Sequence, residues 1–235
     1  MADHDQLISQ GRLDLMLSGT DGPDDPTLWE HSFRVMLNAE MIAQLPAMSA
    51  EPIDRYALQA AALYHEAGWV VQVTSRQMRR REVLSRPTSD VQHELAVGMM
   101  ASSLQGVLPA RSLQRACDAI RSLNDRHGET IEAHIVSDAD NLDQIGPLGF
   151  LHGLRRGMVM GRELAQVLET WQRQQEYRYW EARIRDGIRF KAVRDLAWKR
   201  LEAMGPFMEA LAEHVGAHDV AALCGEPAAE ARKGS

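Results

Sequence analysis

Histidines and carboxylates gather at three places along this chain. They stand in LWEHSFRV (His31), in AALYHEAG (His65 and Glu66) and in VSDADNLDQIG (Asp138, Asp140 and Asp143). Two neutral imidazoles and two carboxylates together form a mixed nitrogen and oxygen ligand set. Such a set suits one divalent ion of Mn, Fe, Ni or Zn, and it suits Mg less well. The pattern therefore predicts a metal site assembled from residues that are distant in the sequence.

The adjacent pair His65 and Glu66 follows YALQAAALY, which is apolar nearly all round and should form a buried helix. Buried ionisable groups cost free energy unless they are paired or bound to a metal. Other interpretations stay open, because such a pair can be a solvated helix end and an acidic stretch can be an exposed cap. The zinc-protease pattern is excluded, since Trp69 stands where it needs a second histidine.

The segments that must position these residues have helical periodicity. We predict helices over 28–45, 52–67, 89–105, 109–123, 131–145, 162–185 and 190–215, and a glycine-interrupted segment over 149–161. Thr27 and Glu30 fit a capping box for the first of these helices. The stretch VVQV after Trp69 predicts a short strand. The expected fold is an all-α, single-domain helical bundle.

The composition excludes several classes of protein. With 45% hydrophobic and 25% charged residues, the chain is not largely disordered. Its two cysteines, Cys117 and Cys224, exclude a disulfide framework and favour a reducing compartment. We see no signal peptide and no apolar run of about 20 residues, so we expect a cytoplasmic protein without a membrane partner. The net charge of -7 argues against binding of bulk nucleic acid.

Taken in order, these motifs resemble those of the HD superfamily of metal-dependent phosphohydrolases, in particular its stand-alone bacterial proteins. That family has a His in a first helix, an adjacent His-Asp pair after an apolar run, and a later Asp in an Ala-Asp-x-Leu context. VQHELAVGMM resembles the family helix that often carries another histidine, and FKAVRDLAWKRLEAMGPFMEAL resembles the helical tail. The resemblance implies a helical bundle with a divalent metal in its core. It also implies hydrolysis of a nucleotide or small phosphate ester by a metal-activated water.

The resemblance also implies a ligand set and a division of the chain. The ligands would be His31, His65, Glu66 and Asp140, with His93 as a further candidate. One metal is favoured, and a di-iron oxygenase is disfavoured, because no histidine stands near 123–124 and His127 lies a few residues later. We divide the chain into an N-terminal segment (1–24), an HD-like metal-binding core (25–160), C-terminal helices packing on it (161–220) and a disordered tail (225–235).

Two departures from the family pattern concern catalysis. Glu66 replaces the family's aspartate, which leaves three outcomes: an active site with altered metal preference, a metal site with little activity, or a site without metal. The last two would make the chain a nucleotide-binding or protein-binding module. Trp69 stands where some members have a glutamate for proton transfer. Glu94 and Asp143 are then the candidate acid and base, unless each is only a structural hydrogen-bond partner.

Arginines between the His-Glu pair and His93 are candidates to bind the substrate phosphate. They occur in RQMRRREVLSR and are Arg76, Arg79, Arg80, Arg81 and Arg86. The alternative is a solvated, positively charged loop. Five histidines without a partner pattern are assigned to the surface or core: His4, His134, His152, His214 and His218. The aromatic residues Trp171, Tyr177, Tyr179 and Trp180 are interpreted as packing rather than as a base-stacking surface.

Overall fold

The computed structural model describes residues 4–18, 23–125 and 130–223, and within them the chain is helical without a β-sheet. The all-α prediction is therefore confirmed. Cys224, His127 and the predicted disordered tail over 225–235 lie outside the described residues. Among the described helices, none has the length and apolar character needed to cross a membrane.

Seven helices form the part of the fold that contains the candidate ligands. They are α1 (His4–Leu15), α2 (Thr27–Ile42), α3 (Arg55–Tyr64), α4 (Gly68–Thr74), α5 (Asp90–Leu104), α6 (Ala110–Arg121) and α7 (Ile131–Asp143). Helix α3 is central and packs against α1, α2, α5, α6 and α7. Every residue from Ala57 to Tyr64 is buried, as the apolar run predicts. The helix thus delivers its C-terminal end, and His65 with it, into the core.

Six further helices follow. They are α8 (Pro147–Val159), α9 (Leu164–Glu176), α10 (Tyr179–Gly187), α11 (Lys191–Glu202), α12 (Met204–Val215) and α13 (His218–Leu223). The buried carboxylate of Asp138 on α7 accepts hydrogen bonds from the backbone N–H groups of Arg189 and Phe190, at 2.8 Å each. Arg200 Nη1 donates to the carbonyl of Leu142 at 2.8 Å. These bonds fasten the start and end of α11 to the helix that carries Asp140.

Several local predictions agree with the structure. The helices predicted over 89–105 and 109–123 begin at Asp90 and Ala110. In the structure Ser89 and Gln92 form a capping box at the start of α5, and Pro109 precedes α6. The start of α5 has a signal contained within a few residues, because a cap side chain satisfies free N–H groups of the first turn. Gly106, with φ of +82°, follows α5, which fits the predicted helix end at 105.

Other local predictions are wrong. Thr27 is the first residue of α2 and not its cap; its N–H and Oγ1 donate to Asp25 Oδ1 at 3.0 and 2.5 Å. VVQV is part of helix α4 and not a strand. The segments 162–185 and 190–215 are each two helices, because Arg178 adopts φ of +52° and Ala203 separates α11 from α12.

Gly68 begins α4 instead of ending α3, and its lack of a side chain has a steric reason. A Cβ at Gly68 would lie 2.1 Å from the carbonyl oxygen of Gln92 on α5. Backbone atoms cannot yield at that distance, so α4 and α5 can approach each other only if this residue is glycine. The contact holds the loop between α4 and α5 beside His65 and Glu66.

The Gly68→Ala variant should be destabilised by at least about 2 kcal/mol, because the added methyl forces α4 away from α5. The matched control is Gly98→Ala on α5, where a Cβ meets nothing within 4 Å. That substitution should stabilise the protein by about 0.5–1 kcal/mol through helix propensity. Urea unfolding followed by circular dichroism measures both free energies. Equal free energies of unfolding for the two variants would contradict this packing.

Candidate metal centre

The candidate ligands come from three neighbouring elements. His31 lies on the second turn of α2, and Asp140 lies on the facing side of α7. His65 and Glu66 occupy the turn between α3 and α4. His31 and His65 are each 2% exposed and Glu66 is 7% exposed. The sequence separates these residues by more than one helix, but the packing of α2, α3 and α7 brings them together.

Two imidazole nitrogens face the same point. Asp140 Oδ1 lies 3.4 Å from His31 Nε2 and 3.8 Å from His65 Nε2. Ligand atoms, one each from His31, His65 and Glu66, lie within 4.8 Å of one another. Ligands bound at about 2.1 Å around one ion stand roughly 3–3.5 Å apart. The two distances from Asp140 Oδ1 are therefore close to those expected around a shared ion.

The outer hydrogen bonds of both rings fix which nitrogen is free. His31 Nδ1 is 2.9 Å from Asp143 Oδ2, and His65 Nδ1 is 2.8 Å from the carbonyl oxygen of Ala62. Both partners accept hydrogen bonds, so Nδ1 of each ring carries the proton and the lone pair of a neutral ring lies on Nε2. Both Nε2 atoms are buried without a hydrogen-bond partner among the described residues. This arrangement is typical of metal-binding histidines with an outer acceptor.

Asp143 binds His31 at Nδ1, the ring nitrogen on the side away from Nε2. Its carboxylate is buried and also accepts hydrogen bonds from Arg34 Nε at 2.9 Å and Nη2 at 3.1 Å. Burial alone would raise the pKa of Asp143, but the bonds from His31 and Arg34 lower this pKa to about 2. Burial likewise lowers the pKa of His31, yet Asp140 and Asp143 outweigh it and raise that pKa to about 10. The negative charge around His31 thus favours a cation at Nε2, either a proton or a metal ion.

Glu66 is held by the two residues that surround its carboxylate. Oε2 accepts a hydrogen bond from Trp69 Nε1 at 2.5 Å and another from the hydroxyl of Thr88. Burial raises the pKa of Glu66, and a nearby cation would keep the group ionised. The two departures from the family pattern are therefore in contact, since the indole of Trp69 orients the longer carboxylate.

The residues present fit a divalent ion. His31, His65, Glu66 and Asp140 would supply two nitrogens and two carboxylates, the donor set that suits Mn, Fe, Ni or Zn. A second group of close atoms comprises His31, Asp143 and His152. Its carboxylate is already engaged by Arg34 and by Nδ1 of His31, so we favour the group of His31, His65 and Glu66. Asp140 is added to it because Oδ1 lies near both Nε2 atoms.

His93 lies at the side of this centre. Its side chain lines the same cleft and its Nδ1 is buried without a partner among the described residues. It does not belong to either group of converging ligand atoms. Burial and the charge of His65 lower the pKa of His93 to about 4, so the ring is neutral at pH 7.

The candidate acid and base lie outside the cleft. Glu94 is exposed and pairs with Arg121 Nε at 2.9 Å on the surface. Asp143 is behind His31 and uses both oxygens to bind His31 and Arg34. The structure thus favours the structural alternative for both residues: Glu94 forms a surface ion pair and Asp143 positions a ligand.

Of the five candidate arginines, only Arg86 lines the cleft, where its guanidinium lies 5.7 Å from the ring centre of Trp69. Arg80 donates to the carbonyls of Leu17 and Pro23. The others, Arg76, Arg79 and Arg81, are exposed and do not line it. The loop sequence could not reveal which arginine faces the cleft, because that depends on how the loop between α4 and α5 packs.

The structure brings in three residues that the sequence patterns missed: His152 and Arg156 on α8 and Arg183 on α10. The ring of His152 lies 5.7 Å from that of His31, and its Nε2 is 3.3 Å from Arg34 Nη2. Arg183 donates to Asn141 Oδ1 and Gln144 Oε1 on or beside α7. The spacing of four between His152 and Arg156 was the one available signal, since it places both on one helix face.

The arrangement defines an all-α domain with a candidate metal site between its buried helices. The sequence profile of the HD domain matches residues 28–145, a range that contains all four candidate ligands. The chain therefore belongs to the HD domain family, a family of metal-dependent hydrolases. The resemblance noted in the sequence is confirmed.

Solved structures share this fold. Lin1889 from Listeria innocua is 20% identical, with 92% of this chain and 98% of that chain covered and a TM-score of 0.55. Bacillus subtilis YpgQ is 19% identical over 92% and 98% of the two chains, with a TM-score of 0.56. A "predicted HD superfamily hydrolase" from an uncultured Thermotogales bacterium is 21% identical over 91% and 93%, with a TM-score of 0.51. A comparison with curated proteins found no match.

The Trp69→Phe variant should bind Mn²⁺ at least about tenfold more weakly, because Glu66 loses the indole donor that orients it. Phenylalanine keeps the buried ring, so the fold is retained. Trp198→Phe on α11 is the control and should bind Mn²⁺ as the wild type does. Isothermal titration calorimetry measures both affinities. Unchanged affinity in Trp69→Phe would show that the Trp69–Glu66 bond does not support a metal.

The affinity for Mn²⁺ should rise with pH between about 6 and 8, by up to about tenfold per unit. The reason is that the pKa of His31 is raised to about 10, so a proton must leave Nε2 before the ion binds there. Titrations in buffers with different ionisation enthalpies should show proton release at pH 7. An affinity independent of pH would exclude His31 as a ligand.

Proposed function

We propose that this protein is a metal-dependent phosphohydrolase that acts on a nucleotide or a small phosphate ester. The observation that carries the proposal is the pair of buried Nε2 atoms of His31 and His65, which both lie near Asp140 Oδ1 and have no hydrogen-bond partner among the described residues. Buried nitrogens aimed at one point are costly in an apo site. They become favourable ligands when a cation is present.

The chain's own residues have distinct roles in this proposal. His31, His65, Glu66 and Asp140 would hold one divalent ion. When bound, that ion would supply an activated water and polarise a phosphoryl oxygen. Asp143 fixes the tautomer of His31, and the carbonyl of Ala62 fixes that of His65. These outer bonds keep both Nε2 lone pairs directed into the cleft.

Positive charge at the cleft suits a phosphate. Arg156 and Arg183 line it beside His152, and Arg86 lies at the Trp69 side. Guanidinium groups bind phosphate oxygens through paired, charge-assisted hydrogen bonds. Arg183 is already oriented by Asn141 and Gln144. YpgQ of Bacillus subtilis, which has the same fold at 19% identity, was crystallised in complex with ADP, and this supports a nucleotide among the candidate substrates.

His152 is the candidate to donate a hydrogen bond to the substrate. Arginine can only donate, so His152 Nε2 accepts from Arg34 and the proton of the ring lies on Nδ1. Burial and the charge of His31 lower the pKa of His152 to about 4, which keeps the ring neutral at pH 7. A neutral Nδ1–H can donate to a phosphoryl oxygen, and it replaces Glu94 and Asp143 as the residue to test.

The His65→Ala variant should lose both its metal and its activity, because it removes one of the two converging nitrogens. Metal content is measured by elemental mass spectrometry on protein purified without chelator or histidine tag. Phosphate release is measured with Mn, Fe, Ni, Zn or Mg added. His214→Ala changes an exposed histidine on α12 and is the control that should retain both. Full hydrolysis by His65→Ala would overturn the proposed mechanism.

A second candidate, a nucleotide-binding or protein-binding module without activity, is favoured by one observation, the glutamate at position 66. Glu66→Asp distinguishes the two. Loss of hydrolysis in this variant would show that the longer carboxylate is the working ligand. A large gain of hydrolysis would show that the wild-type site is dormant. Two irons per chain would instead direct attention to oxygen chemistry.

A further inference from the structure

A second cavity adjoins the metal cleft, and we call it the annex. It lies between α8, α9 and α10, and its defining residues are Phe150, Gly153, Arg156, Trp171, Trp180 and Arg183. His152, Arg156 and Arg183 line both the annex and the metal cleft. A single ligand can therefore extend from the metal centre into the annex.

Aromatic rings form one side of the annex. The ring centres of Trp171 and Trp180 are 5.9 Å apart at an angle of 42°, and Tyr179 meets Trp180 edge to face at 5.1 Å. The sequence-based interpretation of these residues as packing is incomplete, because all three line a cavity. Aromatic faces beside a cavity suit a flat ring, which can stack on them.

Two residues that line the annex carry a buried donor without an acceptor among the described residues. Arg156 Nε and Trp180 Nε1 are both buried without a hydrogen-bond partner in the described part of the chain. An N–H group removed from water without an acceptor is costly, and native proteins leave few of them. Neither group can bind a cation, so the missing partner must be an acceptor such as a ring nitrogen, a carbonyl or a phosphate oxygen.

Glycines on α8 make the space. Gly149, Gly153 and Gly157 recur every fourth residue, so they lie on one helix face, and all three line the annex. At Gly153 an added Cβ would meet nothing within 4 Å. Gly149 and Gly157 also allow close packing, because a Cβ there would lie 1.9 Å from the carbonyl oxygen of Gln144 and 2.9 Å from Val167 Cγ2. Gly153 has no such packing contact. It also offers a position where a larger side chain fills the annex without disturbing packed atoms.

We propose that the annex is the subsite for the heteroaromatic ring of the substrate, a flat ring with hydrogen-bond acceptors such as a nucleobase. The ring would stack on Trp171 and accept hydrogen bonds from Trp180 Nε1 and Arg156 Nε. Arg183 lies where the ring-bearing part of the ligand would meet its phosphate. This proposal rests on the proposed function for the identity of the ligand as a phosphate ester. The binding of the ring itself can be tested without hydrolysis.

The first experiment uses nucleosides, which have no phosphate for the metal centre. Adenosine, guanosine, cytidine and uridine are titrated into the full chain loaded with Mn²⁺, with tryptophan fluorescence and calorimetry as the readouts. At least one nucleoside should bind and quench the fluorescence, whereas ribose should not. Gly153→Leu, which fills the annex, should weaken binding about tenfold or more. Gly98→Leu, at an exposed helix position with open space, should bind like the wild type.

A further variant tests the acceptor requirement. Trp180→Phe keeps an aromatic face but removes Nε1, so it should lower the affinity for the nucleoside. Circular dichroism should show that the fold is retained. Binding of no nucleoside by the wild type, or equal binding by wild type and Gly153→Leu, would overturn the annex as a ring subsite.

The second experiment compares hydrolysis of esters with and without a ring. Nucleoside 5′-phosphates are compared with ribose 5-phosphate. The measured quantity is the kcat/KM of the nucleotide divided by the kcat/KM of ribose 5-phosphate. Gly153→Leu should lower this ratio about tenfold or more. Nucleoside binding without any hydrolysis would support the annex and overturn the proposed function. Hydrolysis with a ratio near one in the wild type would support the function and overturn the annex.

Discussion

The structure depends on one buried contact, between His31 on α2 and Asp143 on α7. These residues are 112 positions apart, and Arg34 completes the contact by donating two hydrogen bonds to the same carboxylate. An ionised carboxylate can be buried only with such partners. The helices α2 and α7 must therefore pack in the register that satisfies Asp143. That register also places Asp140 beside the free nitrogens of His31 and His65.

Much of the helical fold could be predicted from the sequence, because the signals that define its helices are local. The apolar run before His65 predicted a buried α3, and the helices predicted over 89–105 and 109–123 start within one residue of α5 and α6. Converging ligands were inferred from the order of the motifs. Whether His31, His65, Glu66 and Asp140 bind a metal remains a prediction, but the structure brings their side chains together.

The sequence-based predictions are wrong where tertiary contacts, and not local sequence signals, determine the structure. Three of the four residues of VVQV are β-branched valines, which favour a strand. The segment is nevertheless part of helix α4, because Gly68 lets α4 pack closely against α5. Thr27 could cap α2, but Asp25 accepts its hydrogen bonds instead. Arg183 belongs to a helix whose start requires Arg178 in a left-handed conformation. No pattern near Arg183 indicates that its guanidinium faces Asn141 and the cleft, since the direction of α10 follows from packing.

The distribution of the candidate ligands over α2, the α3–α4 turn and α7 links folding to the supply of metal. An ion bound there would join segments that the unfolded chain keeps far apart, so it would bind the native state and hardly the denatured one. Such selective binding adds about 2.7 kcal/mol to stability when the free ion is at a hundred times its dissociation constant. The lifetime of the folded protein in a cell would then follow the concentration of the available metal, even when no substrate is present.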